Sequence, residues 1–210
     1  MTKEQFLSLS DEHVLDEVKA LLYLFSHQEV IRHGLDRQSE VYKSQSVAEH
    51  IYNMLTLCQY FLQLEDSENK LNKAKLTELI LWHDIEEIET GDIPKQHKTA
   101  KHEKEALVAF DKILKKVPSS MRGSIENAYK EYEVRETPES RFVKALDATE
   151  ANIEDFKESS KNRLSRGGFV GQEDLELFCT LASKATKDFP CMNRIIKLRY
   201  KDGGNCPNLF

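Results

Sequence analysis

Apolar residues recur at three- and four-residue intervals along most of this 210-residue chain, and only eight glycines and five prolines interrupt them. That spacing gathers side chains on one face of a helix, and scarce breakers let helices run long. Residues 11 to 28 put Val14, Leu15, Val18, Leu21, Leu22 and Phe25 on one stripe. Ser46 to about Leu64 does the same with Val47, Ile51, Met54, Leu55, Cys58, Phe61 and Leu62. Lys73 to about Glu89 offers Leu76, Leu79, Ile80 and Trp82, and Lys101 to Lys116 offers Ala106, Leu107, Phe110, Ile113 and Leu114. A short helix follows Pro118. Thr137-Pro138 starts another, since a hydroxyl N-cap precedes proline at the first helical position; it runs to about Lys157. Two further helices cover about 172 to 187 and 192 to 200. The sequence contains no strand run and no internal repeat. The expectation is an all-α fold in one domain over residues 1–210, its motif-bearing part at about 30–158, with C-terminal helices over 172–200 and a frayed tail over 201–210.

Composition narrows what such a bundle can do. Hydrophobic residues make up 40% and charged residues 31%, which supplies a core yet no apolar run of ~18 residues for a membrane span. The start, "MTKEQFLSLSDEHV", lacks the cationic beginning and apolar centre of a signal peptide. Cys58, Cys179, Cys191 and Cys206 form no CxxC pair and read as free thiols of a reducing compartment, so the expected location is cytoplasmic. A net charge of −6 argues against a nucleic acid polymer as partner. A small anionic ligand would need local positive charge or a metal. The basic, glycine-bearing "NRLSRGGFVG" lacks the spacing of a phosphate loop and reads as a connector.

Ionisable residues sit where those stripes ask for apolar ones. His50 lies between Val47 and Met54, His83 follows Leu79 and Ile80, and Asp147 adjoins Leu146 on a stripe with Phe142 and Val143. Helix residues three and four apart share a face, so all three point to the core or its rim. A buried unpaired carboxylate costs several kcal/mol and requires a cation. Lys144 or Lys157 can serve Asp147, and so can a metal. Asp84 is the immediate neighbour of His83, about 100° round a helix and ~1.5 Å along it, so both side chains can bend to one ion. Two histidines with two aspartates suit a divalent transition ion such as Mn²⁺, Fe²⁺, Co²⁺ or Zn²⁺. Glu87 falls one turn on, placed to bond a water on that ion. Gly91 stops the helix and puts Asp92 on the loop rim.

The order H…HD…D on helices resembles the HD-domain phosphohydrolases, and within them the HD-domain 5′-deoxynucleotidases. Four segments carry the resemblance: "SVAEHIYNM", "LWHDIEEIETGDIP", "KHEKEAL" and "EYEVRETPESRFVKALDATEANI". It spans about residues 30 to 155 and implies an HD-type helical bundle that binds one divalent metal per chain (Mn, Co, Fe, Zn or Mg). Its ligands would be His50, His83, Asp84 and Asp147. Glu87 and Asp92 match the acidic residues beside the reactive water. Arg37 falls where the family has a phosphate-holding arginine, and Lys95 is a second candidate for the substrate. Bacterial members follow that arginine with a tryptophan near the sugar, whereas Gln38 stands here, so deoxyribose against ribose stays open. The implied substrate is a small-molecule nucleotide, the implied assembly a homodimer.

Other readings stand beside this one. HD proteins also hydrolyse cyclic nucleotides, nucleoside triphosphates and nucleotide pyrophosphates, and a few are di-iron oxygenases. His97 and His102 could extend the site to two metals, although a surface helix start accounts for them. A non-catalytic nucleotide-sensing domain would retain the fold without needing every ligand and both acids. A purely structural bundle would have to account for charges on three apolar faces.

Overall fold

The computed structural model describes residues 10–32, 45–93, 98–154 and 172–200. Helices α1 (Asp11–Leu24), α2 (Val47–Glu65), α3 (Lys73–Trp82), α4 (Glu87–Thr90), α5 (Ala100–Lys116), α6 (Arg122–Val134), α7 (Pro138–Glu154), α8 (Gln172–Ala185) and α9 (Pro190–Tyr200) follow one another. A 3₁₀ turn, Phe25–Gln28, continues α1. Among the described residues the β structure is one isolated bridge, Ile31 to Ser46.

Local chemistry sets the helix starts. Ser46 opens α2 with a reciprocal cap: its hydroxyl accepts from Glu49 N–H at 3.2 Å, and the Glu49 carboxylate accepts from Ser46 N–H at 2.6 Å. Asn72 caps α3 by accepting from Ala74 and Lys75 N–H. Thr137 accepts from Ser140 N–H at 3.2 Å, as the Thr-Pro start signal predicts. The N-terminus of α9 is capped from elsewhere: Glu65, the last residue of α2, accepts from Cys191 and Met192 N–H.

Helix α7 lies at the centre and packs against α2, α3, α6, α8 and α9. The main core joins the predicted stripes of α2 and α3 to Ala145, Leu146, Phe142 and Val143 of α7. A second cluster gathers Leu24, Ile85, Phe110, Ile113, Val117, Ile125 and Tyr129. Trp82 packs against both clusters. Before α2, Arg32 N–H bonds Gln45 carbonyl at 3.1 Å and Val47 N–H bonds Val30 carbonyl at 3.0 Å. This clasp lays residues 30–32 along the start of α2.

Two sequence expectations change. The stripe on α1 is not buried: Val18 is 43% exposed, Leu22 58% and Phe25 56%, whereas Leu24 is buried. Periodicity identifies an apolar face without saying what covers it; α1 docks instead through Leu24 and through Tyr23, whose hydroxyl donates to Glu89 at 2.6 Å. Leu107 on α5 is likewise exposed, and Ala109, Phe110 and Ile113 fill the core there. The helix expected over 73–89 breaks after Trp82. Residues 83–86 form turns with i→i+3 bonds, Ile85 N–H to Trp82 carbonyl and Glu87 N–H to Asp84 carbonyl among them, before α4 resumes. Gly91 ends α4 at φ 69° and ψ 165°, its N–H bonded to Glu87 carbonyl at 2.8 Å.

Glu139 on α7 holds the start of α3, accepting from Asn72 N–H at 3.1 Å with Lys75 Nζ at 3.5 Å. Burial raises its pKa, yet the Asn72 N–H and Lys75 leave it below the ordinary value. Glu139→Ala is expected to lower stability by about 1 kcal/mol at neutral pH. A carboxylate with a depressed folded-state pKa stabilises above its unfolded pKa, and the benefit is lost as pH falls through the folded one. Urea unfolding of the two proteins should therefore differ at pH 7 and converge toward pH 3.

Candidate metal centre

His50 is fully buried on α2, and its two ring nitrogens meet different partners. Nδ1 lies 2.7 Å from Glu150 Oε2. Burial raises the Glu150 pKa, but His50, Arg32 and Asn53 together hold it below its ordinary value, so it is an acceptor and Nδ1 carries the proton. The His83 Nδ1 lies 2.9 Å from Ile80 carbonyl, which also only accepts. In its neutral form each imidazole therefore presents an Nε2 lone pair inward. Each Nε2 is buried and faces carboxylate oxygens.

Carboxylates face those lone pairs. Asp84 Oδ2 is 2.9 Å from His83 Nε2 and 3.9 Å from His50 Nε2. Ligating atoms of His50, His83 and Asp84 all lie within 4.8 Å of one another. Asp147, on α7, puts Oδ1 at 3.5 Å from His50 Nε2 while its Oδ2 accepts from Lys144 Nζ at 2.6 Å and Tyr132 hydroxyl at 3.0 Å. Lone pairs set this close to carboxylate oxygens repel unless a proton or a metal ion sits between them. The separations suit nitrogen and oxygen atoms each about 2.1 Å from one ion. The donor set, two imidazoles and two carboxylates, suits a divalent transition metal.

The break after α3 makes this possible. Tight turns over 83–86 bring His83 and Asp84 toward one point. His27, buried in the 3₁₀ turn, lies 3.2 Å from Asp84 carbonyl through Nε2 and supports those turns from outside.

Charge at the site is dense. Burial raises the Asp84 pKa, but His83 outweighs it by charge and hydrogen bond, so Asp84 stays ionised well below the usual carboxylate range. Burial, the largest influence on His50, and Arg32 both disfavour its charged form; Asp147 and Glu150 outweigh them, and its pKa is raised. Glu87 is buried, and desolvation followed by Asp84, Asp92 and Glu86 pushes its pKa well above the ordinary value. Glu86 is pushed up to about 8, mainly by burial and then by Asp84.

The structure brings together His50, His83, Asp84 and Asp147, as the sequence reasoning expects, and places Glu87 and Asp92 near enough to Asp84 for their charges to act on one another. Arg37, Lys95 and His97 lie outside the described residues. His102 is at the start of α5, where its Nδ1 accepts from Thr99 N–H. Arg32 was missed. Its side chain is largely buried among Glu150, Asp92, Asp147 and Asp84, and Nη1 is buried without a hydrogen-bond partner. The signal was faint: one cation after two apolar residues, Val30-Ile31, on an irregular segment. Lys98, exposed and near enough to feel the charges of Asp84, Glu86, Glu87 and Asp92, was missed too, as were Glu150 and Tyr132.

Helices here converge two histidines and two aspartates, with buried acids and a largely buried arginine beside them, on a group that could hold a metal. The chain belongs to the HD-domain family, whose model matches residues 26–184. It is 32% identical over 113 residues to a 5′-deoxynucleotidase of Xenopus laevis, across 53% of this chain and 54% of that one. It is 29% identical over 152 residues to a 5′-deoxynucleotidase of Schizosaccharomyces pombe, across 70% and 68%. The chain thus spans about half the length of the Xenopus relative. A predicted metal-dependent phosphohydrolase from Magnetospirillum magnetotacticum shares the fold, with TM-score 0.69 and 18% identity over 92% of this chain and 95% of that one.

Elemental analysis of the purified protein is expected to find a divalent metal. Asp84→Asn and His83→Ala should each weaken its binding by more than the roughly 10–100-fold that loss of an outer partner costs, with unchanged helical circular dichroism.

Proposed function

We propose that the chain is a metal-dependent phosphohydrolase that removes the 5′-phosphate from ribo- or deoxyribonucleoside monophosphates. One observation carries the reading: two inward Nε2 atoms and two aspartates adjoin a buried arginine whose Nη1 pairs with Glu150 by charge and makes no hydrogen bond. That pairs a cation site with an anion site.

His50, His83, Asp84 and Asp147 would hold the ion. When bound, it lowers the pKa of a coordinated water and polarises a phosphoryl oxygen. Arg32 offers N–H donors to the phosphate and fixes phosphorus near the ligands. Glu87, made more basic chiefly by burial, takes the proton of the attacking water. Asp92, on the rim beyond Gly91, is set to protonate the leaving 5′-oxygen or to hold the sugar. Lys98 adds positive charge among Asp84, Glu86, Glu87 and Asp92. The products would be a nucleoside and phosphate. The same reading includes one metal per chain, a homodimer and a cytoplasmic setting; no helix among the described residues is long and apolar enough to cross a membrane.

The test is phosphate release from a panel of ribo- and deoxyribonucleoside 5′-monophosphates, with cyclic nucleotides and triphosphates as comparison. Monophosphates should turn over. Glu87→Gln should lower kcat by about 10²–10⁴-fold with metal retained. Arg32→Ala should act mainly on KM. The reading fails if Asp84→Ala keeps both metal and full activity, and another HD-type hydrolysis replaces it if triphosphates or cyclic nucleotides alone are cleaved.

A further inference from the structure

Helix α7 addresses both nitrogens of one imidazole. Asp147 and Glu150 are three residues apart and so share a face. Asp147 Oδ1 stands 3.5 Å from His50 Nε2, and Glu150 Oε2 stands 2.7 Å from His50 Nδ1. The ring of His50 is held between them. Glu150 is itself pinned: Oε1 accepts from Asn53 Nδ2 at 2.9 Å and from Gln45 Nε2 at 2.8 Å. Asn53 is one turn after His50 on α2, so two helices each contribute an i, i+3 pair to one buried array.

The same carboxylate reaches the anion side. Glu150 Oε2 lies 3.7 Å from Arg32 Nη1, close enough for charge attraction and too far for a hydrogen bond. It anchors the guanidinium while leaving Nη1 donors to a ligand. Cations and donors from residues 32, 45, 50 and 53 thus converge on a side chain that is only 2% exposed.

We infer that Glu150 is a positioning residue that locks His50 in the Nδ1–H tautomer, aims its Nε2 at the metal, and sets Arg32 for the phosphate. This rests on the assignment of His50 as a ligand. A carboxylate behind a ligating imidazole fixes ring orientation and strengthens the nitrogen as a donor, and losing such a partner costs about 10–100-fold in metal affinity. Glu150→Gln keeps an acceptor for Nδ1–H but not the charge, and turns an amide toward donors. Glu150→Leu removes both.

The experiment uses full-length protein with ¹⁵N-labelled histidine and Zn²⁺ as probe. Chelator competition gives zinc affinity, ring ¹⁵N shifts give the His50 tautomer, and titration of the zinc-loaded protein with inorganic phosphate reports on Arg32. The His50 signals are identified by their loss in His50→Ala. Wild type should show Nδ1 protonated with and without zinc. Glu150→Gln should retain that tautomer yet bind zinc and phosphate more weakly, by about tenfold for zinc. Glu150→Leu should mix tautomers in the zinc-free protein and lose up to about 100-fold in zinc affinity. Should Glu150→Leu not fold, Glu150→Gln alone decides: unchanged zinc and phosphate affinity overturns the inference. Unchanged ring signals and zinc affinity in Glu150→Leu overturn it too, provided His50→Ala loses zinc. If His50→Ala binds zinc as wild type does, the ligand assignment falls and this inference with it.

Discussion

The bundle closes around charge that has to be neutralised. Asp84, Glu87, Asp147 and Glu150 come together where α2, the turn after α3, and α7 meet, and each removed from water carries a desolvation penalty of several kcal/mol. The protein's own cations answer part of it. Lys144 takes one oxygen of Asp147, and Arg32 lies against Glu150. What remains is a set of ring nitrogens and carboxylate oxygens aimed at one another, an arrangement that a shared proton or a bound cation relieves. The centre is thus a place where folding energy is withheld, and a ligand that binds the native state returns it.

That withheld energy accounts for much of the surrounding construction. Strained electrostatics survive only where neighbours fix every atom, and here they are fixed from several directions. Ile80 carbonyl orients His83, His27 supports the Asp84 backbone, and the clasp between residues 30–32 and the start of α2 carries Arg32 to the same place. Trp82 touches both hydrophobic clusters next to His83, so the two cores meet at the site rather than away from it.

The helices are legible in the sequence because their apolar spacing, capping residues and scarce glycines agree with one another. Three of the four candidate ligands, His50, His83 and Asp147, are legible because each breaks an apolar stripe, and Asp84 because it adjoins His83. The interruption after Trp82 is not: "WHDIEEIETG" has ordinary helical character, and its tight turns come from tertiary demands on His83 and Asp84. Arg32 escapes because an irregular segment has no period for a charge to violate. Glu150 escapes for a different reason. One glutamate among others on a charged helix looks solvated until the fold sets His50 and Asn53 against it. The α1 stripe misleads in the opposite direction, since its pattern is real and its cover is not among the described residues.

Gly91 carries a consequence of its own. Its φ of 69° and ψ of 165° lie in a region that L side chains rarely enter, yet a Cβ built there would meet nothing within 4 Å. The position is spacious and still exclusive, because the constraint is an angle and not a neighbour. Asp92 follows directly, so the direction in which that acid leaves α4 is written into a backbone torsion. A larger residue there would fit the volume and misdirect the chain, and the fault would show in the placing of Asp92 before it showed in packing.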